Sequence, residues 1–171
     1  MLMIILIGLL ANPKAESSIR QGITTLVSGN CGSSPFPVAE EIYEESKANL
    51  KELLQLDLTW RDINGFFSRL EEKGIALNYS TLVGQGAIRG AAMGFNDRPP
   101  SQEELEKMKK MVAENIESGA VGLSSGLEYT PGSYAEADEI TELCRVAAQY
   151  GGVYATHMRD EGDKLIESLD E

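Results

Sequence analysis

A regular alternation of short apolar runs with longer amphipathic segments is what most constrains the fold of this chain. Five runs are short and apolar on both faces, as is typical of buried parallel strands: MLMIILIGLL, ITTLVSGN, IALNYSTLVG, AVGLSSG and GGVYATHM. Between them the apolar spacing predicts helices, the clearest of which begins at Ser101 with Glu104 completing a capping box. This order indicates βαβ units, so the sequence predicts an α/β fold with a mostly parallel sheet.

Two architectures fit this alternation, a doubly wound sheet and part of a closed (β/α)₈ barrel. A full barrel needs about 200 to 250 residues, whereas the chain has 171. We therefore expect a single domain over residues 1–171, an incomplete TIM-type barrel of about five parallel strands. Among the finer expectations, Thr59 caps the helix that Gly74 ends, and GQGAIRG, which matches no nucleotide-binding loop, forms a tight turn after a strand.

The charge balance excludes some classes of partner. A formal net charge of −12 and a pI near 4.6 argue against nucleic acid and against an anionic membrane surface, because both require clustered Lys and Arg. The apolar N-terminus is too short to span a bilayer and lacks a basic leader segment, which favours a buried strand, although an export signal remains an alternative. The two cysteines differ in context, which favours free thiols in a reducing cytoplasm.

Two residues stand out as candidates for chemistry, Cys31 in the loop SGNCGSS and His157 at the end of GGVYATHM. Both follow apolar runs, and α/β folds gather function at the carboxyl ends of their strands. Cys31 is a nucleophile, a zinc ligand or an inert packing residue, and the residues alone leave this open. His157 is the only histidine of the chain. Cys144 lies in an apolar helical pattern, which favours core packing.

Polar residues next to these candidates extend the predicted site. Tyr129, in the loop SSGLEYTPG, is a candidate substrate contact or a loop-packing residue. Arg159 and Glu161 directly follow His157; they either orient the histidine and bind a carboxylate substrate, or simply form the charged start of a helix.

Three motifs, in order, resemble the N-acyl-D-amino-acid deacylases (D-aminoacylases) of the amidohydrolase superfamily: QGITTLVSGNCG, GAVGLSSGLEYTPGSYA and YGGVYATHMRDEGD. The similarity runs from about Asn12 to the end of the chain. The resemblance implies a (β/α)₈ barrel that uses zinc to hydrolyse the amide bond of a small N-acyl-D-amino acid. It makes Cys31 and His157 metal ligands, and it makes Tyr129, Arg159 and Glu161 substrate-binding residues.

The chain also departs from the family's pattern. The family has an H-x-H pair where this chain has MLMIILIGLL, and its further metal histidine and catalytic aspartate lie on later strands, so no catalytic residue is assigned here. Catalytic zinc takes three protein ligands, and two are identified. We therefore expect weak or no deacylase activity from these residues alone. The alternatives are a non-catalytic truncated barrel that binds a partner or self-associates through uncovered edges, and a cysteine hydrolase that pairs Cys31 with His157.

Overall fold

The computed structural model describes residues 7–171 and confirms an α/β fold of parallel strands and helices. The strands are β1 (Thr25–Ser28), β2 (Asn78–Thr81), β3 (Val83–Gly84), β4 (Gly122–Gly126) and β5 (Val153–His157). The helices are α1 (Gly8–Ala11), α2 (Glu16–Arg20), α3 (Tyr43–Leu54), α4 (Ile63–Lys73), α5 (Gln85–Met93), α6 (Gln102–Glu117), α7 (Ala137–Gln149) and α8 (Leu165–Asp170), with 3-10 turns at Glu40–Ile42 and Gly132–Tyr134.

The strands form two sheets, β1–β2 and β3–β4–β5, each in chain order. β1 pairs with β2, β3 with β4 and β4 with β5, and each pairing is parallel. Only Leu82 separates β2 from β3, and its N–H donates to the carbonyl of Ser28 at 2.9 Å. β4 is buried along its whole length, whereas the outer strands are open to solvent: Val27 of β1 is 52% exposed and Val153 of β5 is 58% exposed.

Hydroxyl contacts of the buried Ser125 support the register of β4 against β5. The Ser125 Oγ lies 2.6 Å from the Tyr154 hydroxyl oxygen and 2.7 Å from the Thr156 Oγ1. Ser125 has no exposed surface, so these bonds satisfy a hydroxyl that water does not reach. The same register sets Gly126 opposite His157 at the carboxyl end of the pair.

An aromatic cluster holds the segment that follows the Cys31 loop. Phe36 and Phe66 are fully buried with ring centroids 5.7 Å apart, and Trp60 packs edge-on against Phe66. The Trp60 Nε1 donates a 2.8 Å hydrogen bond to the carbonyl of Pro35. Truncation of a buried Phe or Trp side chain to Ala typically costs about 3–5 kcal/mol. The packed rings and the Trp60 hydrogen bond therefore anchor the segment that follows the Cys31 loop.

The N-terminal expectations are corrected where the structure describes them. Residues 1–6 of the apolar run lie outside the described part, but residues 8–11 form helix α1 rather than a strand. Leu9 and Leu10 of this helix are buried and α1 packs against α4. Periodicity alone does not separate a short apolar strand from a buried helical turn. The five strands of the described residues correspond to four of the predicted runs, since β2 and β3 both come from IALNYSTLVG.

Two local expectations also change. The N-cap of α4 is Asp62, whose carboxylate accepts from the N–H of Gly65 at 2.8 Å, rather than Thr59. GQGAIRG is not a tight turn, because α5 begins at once after β3. A Cβ at Gly86 would lie 2.9 Å from the Gly32 carbonyl oxygen, so this glycine permits close approach of the Cys31 loop to a helix.

Other expectations hold. The capping box of Ser101 and Glu104 is present at the start of α6, and Gly74 ends α4 in the left-handed conformation. Cys31 and Cys144 are both free thiols. Cys144 packs against the core, and burial raises the pKa of its thiol, as suits a packing residue. Between residues 7 and 171, no helix has the length and apolar character needed to cross a membrane.

Candidate metal and substrate site

The loop after β1 carries Cys31 in an unusual backbone conformation. Gly29, Cys31 and Gly32 all have positive φ, with 55° at the cysteine. A left-handed conformation costs a residue with a Cβ about 1–2 kcal/mol. The conformation turns the chain back over the strand ends, and a Cβ at Gly29 would lie 2.0 Å from the Leu82 carbonyl oxygen. The chain thus holds a strained cysteine where neighbouring strands end.

Hydrogen bonds from neighbouring strands hold this loop in place. The buried Ser124 Oγ accepts from the N–H of Gly32 at 3.1 Å and donates to the carbonyl of Gly29. A Cβ at Gly126 would lie 2.1 Å from the Cys31 carbonyl oxygen, so only glycine at the end of β4 allows this approach. The position of Cys31 is therefore set by contacts distant in sequence.

Cys31 and His157 meet at this edge of the sheet, as their places at strand ends predict. The Cys31 Sγ lies 3.6 Å from the His157 Nδ1, across 126 residues of chain. The backbone of His157 is fixed by the Leu127 N–H, which donates to its carbonyl at 2.9 Å. The imidazole is 20% exposed, open enough for a ligand to reach it.

Two carboxylates face the other ring nitrogen of His157. The Nε2 lies 2.9 Å from the Glu128 Oε2 and 3.6 Å from the Glu161 Oε1. Tyr129 packs its ring edge-on against the imidazole, with centroids 4.9 Å apart. Desolvation, then the negative charge of Glu128, raise the pKa of Tyr129.

Arg159 is held in a different network. Its Nη1 and Nη2 donate to the carbonyls of Ser133 and Ala135, both at 2.8 Å, and its guanidinium binds the carboxylate of Glu171 at 2.7 and 2.9 Å. This pairing lowers the pKa of Glu171. Arg159 thus ties the segment after Tyr129 to the last residue of the chain. Its substrate-binding role stays a prediction.

A cavity of about 680 Å³ opens in front of Cys31. Its walls come from the loops after β1 and β4 and from small residues of α5. Glu128 and Tyr129 border it together with Cys31, Gly86 and Phe95. Among the described residues of its lining, Glu128 is the only charged one. A second cavity of about 440 Å³, between α1 and β1, also reaches Cys31.

The donor geometry fits part of a zinc site. Two ligands of tetrahedral zinc, with Zn–S near 2.3 Å and Zn–N near 2.0–2.1 Å, lie about 3.6 Å apart. The separation of Cys31 Sγ and His157 Nδ1 is 3.6 Å. Within residues 7–171, however, no three His, Cys, Asp or Glu side chains are arranged to hold a metal ion. Among the described residues, Cys31 and His157 are thus two donor groups at a separation that suits zinc.

Sequence reasoning did not identify a buried ionic network behind the site. Arg89 of α5 and Glu139 of α7 form an ion pair with side chains 0% and 3% exposed. The Gln85 Nε2 donates to the same carboxylate at 2.7 Å. A Cβ at Gly132 would lie 3.1 Å from the Gln85 Oε1, so the network lies against the loop that carries Tyr129. The four-residue spacing of Gln85 and Arg89 on one helix was the available signal.

Comparison with known proteins points to one group of enzymes. No protein-family profile matches the chain. A D-aminoacylase of Alcaligenes xylosoxydans xylosoxydans is 37% identical over 90% of this chain and 31% of its own length. An N-acyl-D-glutamate deacylase of the same organism is 38% identical over 93% of this chain and 32% of its own length. The chain thus spans about a third of the length of these relatives.

Solved structures give the same result. The N-acyl-D-glutamate deacylase of Bordetella bronchiseptica, complexed with zinc and a phosphonate inhibitor that mimics the tetrahedral intermediate, matches 96% of this chain and 34% of its own, with TM-score 0.83 and 33% identity. A D-aminoacylase that defines a novel subset of amidohydrolases matches 95% of this chain and 34% of its own, with TM-score 0.74 and 35% identity. The resemblance inferred from the three motifs is confirmed.

Proposed function

We propose, from its homology to the N-acyl-D-amino-acid deacylases, that this chain forms part of a zinc-dependent amidohydrolase that cleaves the amide bond of N-acyl-D-amino acids. The observation that carries the proposal is the 3.6 Å approach of Cys31 Sγ to His157 Nδ1 at the ends of parallel strands. The products would be a carboxylate and a D-amino acid. A reducing compartment such as the cytoplasm, which keeps the thiol free, suits this site.

The architecture we propose is part of a (β/α)₈ barrel. In support, the described strands follow one another without the reversal of order that marks a doubly wound sheet. β1 and β5 are open at their outer sides, as strands of an unclosed barrel would be. The site lies at the carboxyl ends of the strands, where barrel enzymes have their active sites.

Each residue has a proposed role. Cys31 and His157 would hold zinc, which when bound activates water and polarises the amide carbonyl. Tyr129, which borders the cavity, would donate a hydrogen bond to the substrate there. Arg159 and Glu161 complete the proposed substrate-binding set. Arg159 would reach substrate only by exchanging its bonds to Glu171. Since two ligands fall short of three, we expect weak or no activity from residues 1–171 alone.

Zinc titration of matched cysteine variants tests the proposal. We expect Cys31→Ser and His157→Ala to lose most zinc affinity in competition with a chromogenic chelator. Cys144→Ser, at the other free thiol, should bind like the unaltered chain. Equal binding by all four proteins would contradict the proposed metal site. Circular dichroism of each variant verifies that the fold is retained.

A cysteine hydrolase is a second candidate, favoured by the line of groups from Cys31 Sγ through His157 to Glu128. A nucleophile beside a base that a third group orients is the usual arrangement for covalent catalysis. Activity that iodoacetamide abolishes and a chelator leaves intact would support this candidate over zinc.

A non-catalytic interaction module is the third candidate. Tyr154 is 44% exposed on β5, and Ile166 and Leu169 of α8 are 69% and 61% exposed. Apolar surface of this kind beside an open strand promotes association. Concentration-dependent dimerisation in sedimentation experiments, lost in Ile166→Lys, would support self-association through this edge.

A further inference from the structure

Both ring nitrogens of the single histidine have partners of opposite chemical character. The Nδ1 of His157 faces the sulfur of Cys31 at 3.6 Å, and the Nε2 faces the Glu128 Oε2 at 2.9 Å. A carboxylate accepts hydrogen bonds, whereas a thiol can donate its hydrogen. The contacts therefore favour one of the two neutral tautomers, with hydrogen on Nε2 and a lone pair on Nδ1.

We propose that Glu128 is a positioning residue that fixes His157 in the Nε2–H tautomer and orients Nδ1 towards Cys31. This inference deepens the proposed function, because a metal-binding imidazole needs an unprotonated nitrogen directed at the metal. Histidines that bind metals commonly donate their other N–H to a carboxylate, which holds the ring and raises its basicity. Glu128 would have this role here without touching the metal.

Glu128 is better placed for this role than Glu161. Its contact with Nε2 is 2.9 Å, against 3.6 Å for the Glu161 Oε1, which exceeds ordinary hydrogen-bond length. Glu128 lies two residues after Gly126, which pairs with His157 in the β4–β5 ladder. The turn that directly follows β4 therefore places the carboxylate next to the ring at the end of β5. The Glu128 and Glu161 side chains are similarly exposed, at 54% and 64%, so the shorter contact with Nε2 is what distinguishes Glu128.

The neighbours of His157 complete the restraint. The N–H of Tyr129 donates to the Gly126 carbonyl at 3.1 Å and forms a tight turn around Glu128. The Tyr129 ring then packs edge-on against the imidazole. The ring is held by the carboxylate at one nitrogen and by an aromatic neighbour beside it, so removal of the carboxylate is expected to release rotation and tautomer exchange together.

Nuclear magnetic resonance of the metal-free chain tests the inference directly. Since His157 is the only histidine, its ring gives a single set of two-bond ¹H–¹⁵N correlations, and their pattern reports which nitrogen carries hydrogen. In weakly alkaline solution, where free imidazole is neutral, we expect the Nε2–H pattern in the unaltered chain and in Glu128→Gln, whose amide oxygen still accepts. Glu128→Leu should show averaged ¹⁵N shifts from mixed tautomers. Glu161→Leu, which removes the more distant carboxylate, should change them less.

Zinc affinity of the same variants gives the second readout. Loss of a carboxylate that orients a metal histidine costs about 10–100-fold in metal affinity. We expect a loss in this range for Glu128→Leu and recovery towards the original affinity in Glu128→Gln. An Nδ1–H pattern in the unaltered chain, or an unchanged pattern and affinity in Glu128→Leu, would overturn the inference. If the tautomer responds to Glu128→Leu but Cys31→Ser binds zinc like the unaltered chain, Glu128 keeps its positioning role and the zinc function fails.

Discussion

Replacement of Glu139 by alanine is expected to destabilise the fold by about 3–5 kcal/mol, because it leaves a buried guanidinium without a counter-ion. The Arg89 and Glu139 side chains are 0% and 3% exposed, so water does not take the place of the lost carboxylate. Arg89 keeps the carbonyls of Asn96 and Arg98, at 3.3 and 2.6 Å, but these carry no charge. The Gln85 Nε2 also loses its 2.7 Å acceptor. Domains of this size have a total stability of about 5–15 kcal/mol.

Urea unfolding measures this loss. Trp60 is the only tryptophan and is 3% exposed, so its fluorescence reports the loss of the core. The matched control is Glu142→Ala on the same helix α7. Glu142 pairs with Arg145 at 3.3 Å and with Lys109 at 3.8 Å, with 39% of its side chain exposed. Exposed pairs contribute at most about 1 kcal/mol, so this variant should unfold close to the unaltered midpoint.

The double variant Arg89→Met/Glu139→Leu separates charge from packing. An apolar pair of similar volume often replaces a buried ion pair at little cost, so this variant should recover much of the stability that Glu139→Ala loses. The reasoning is refuted if Glu139→Ala shifts the free energy of unfolding no more than Glu142→Ala, with the same dependence on urea. In that case something other than Glu139 would compensate the buried charge of the Arg89 guanidinium.

Two further expectations concern the Cys31 loop and the start of α6. Gly126→Ala should destabilise the chain and weaken zinc binding, since its Cβ would lie 2.1 Å from the Cys31 carbonyl oxygen. Gly8→Ala has no atom within 4 Å of its Cβ and lies in helix α1, where Ala is favoured over Gly, so it should neither destabilise the fold nor weaken zinc binding. Equal destabilisation by the two variants would contradict the steric account. The Arg98 guanidinium and the Ser101 N–H lower the pKa of Glu104 from 4.5 to about 2. A carboxylate whose pKa is lower in the folded state stabilises the fold at pH values above its unfolded pKa. This contribution is lost as the pH falls through the folded pKa. Glu104→Gln should therefore unfold at lower urea than the unaltered chain at pH 7, and the gap should narrow between pH 4.5 and 2; a gap independent of pH would exclude the carboxylate as its source.

Local signals made the helices predictable. The capping box of Ser101 and Glu104 specifies its own hydrogen bonds within one turn, and the structure contains both. Helix α5 escaped prediction because its glycines indicate a turn when only neighbours in sequence are considered. Gly86 is needed instead for contact with Gly32, which lies more than fifty residues earlier in the chain. Such a requirement exists only in three dimensions.

The contacts of the candidate site were likewise predictable from the sequence only in part. Cys31 and His157 were predicted to meet because the ends of parallel strands share one edge of the sheet, and they do meet. The contact of Glu128 with His157 depends on the turn after β4, which no periodicity encodes. The bonds of Arg159 to Ser133 and Ala135 likewise depend on how two loops pack. Residue types and strand ends thus predict which groups approach, whereas loop conformation decides their partners.

The hydroxyl contacts between Ser125, Tyr154 and Thr156 make the site sensitive to a change of one residue in the length of β5. Side chains alternate between the faces of a strand, so a shift of one residue moves each of them to the opposite face. After deletion of one residue between 153 and 156, β5 could keep the contacts of Ser125 with Tyr154 and Thr156 only if His157 moved to the opposite face of the sheet. If His157 kept its face, those hydroxyl contacts would be lost. A deletion after residue 161 would leave that pairing unchanged. A change in chain length is thus expected to disrupt the site on the N-terminal side of the histidine and to leave it intact beyond residue 161.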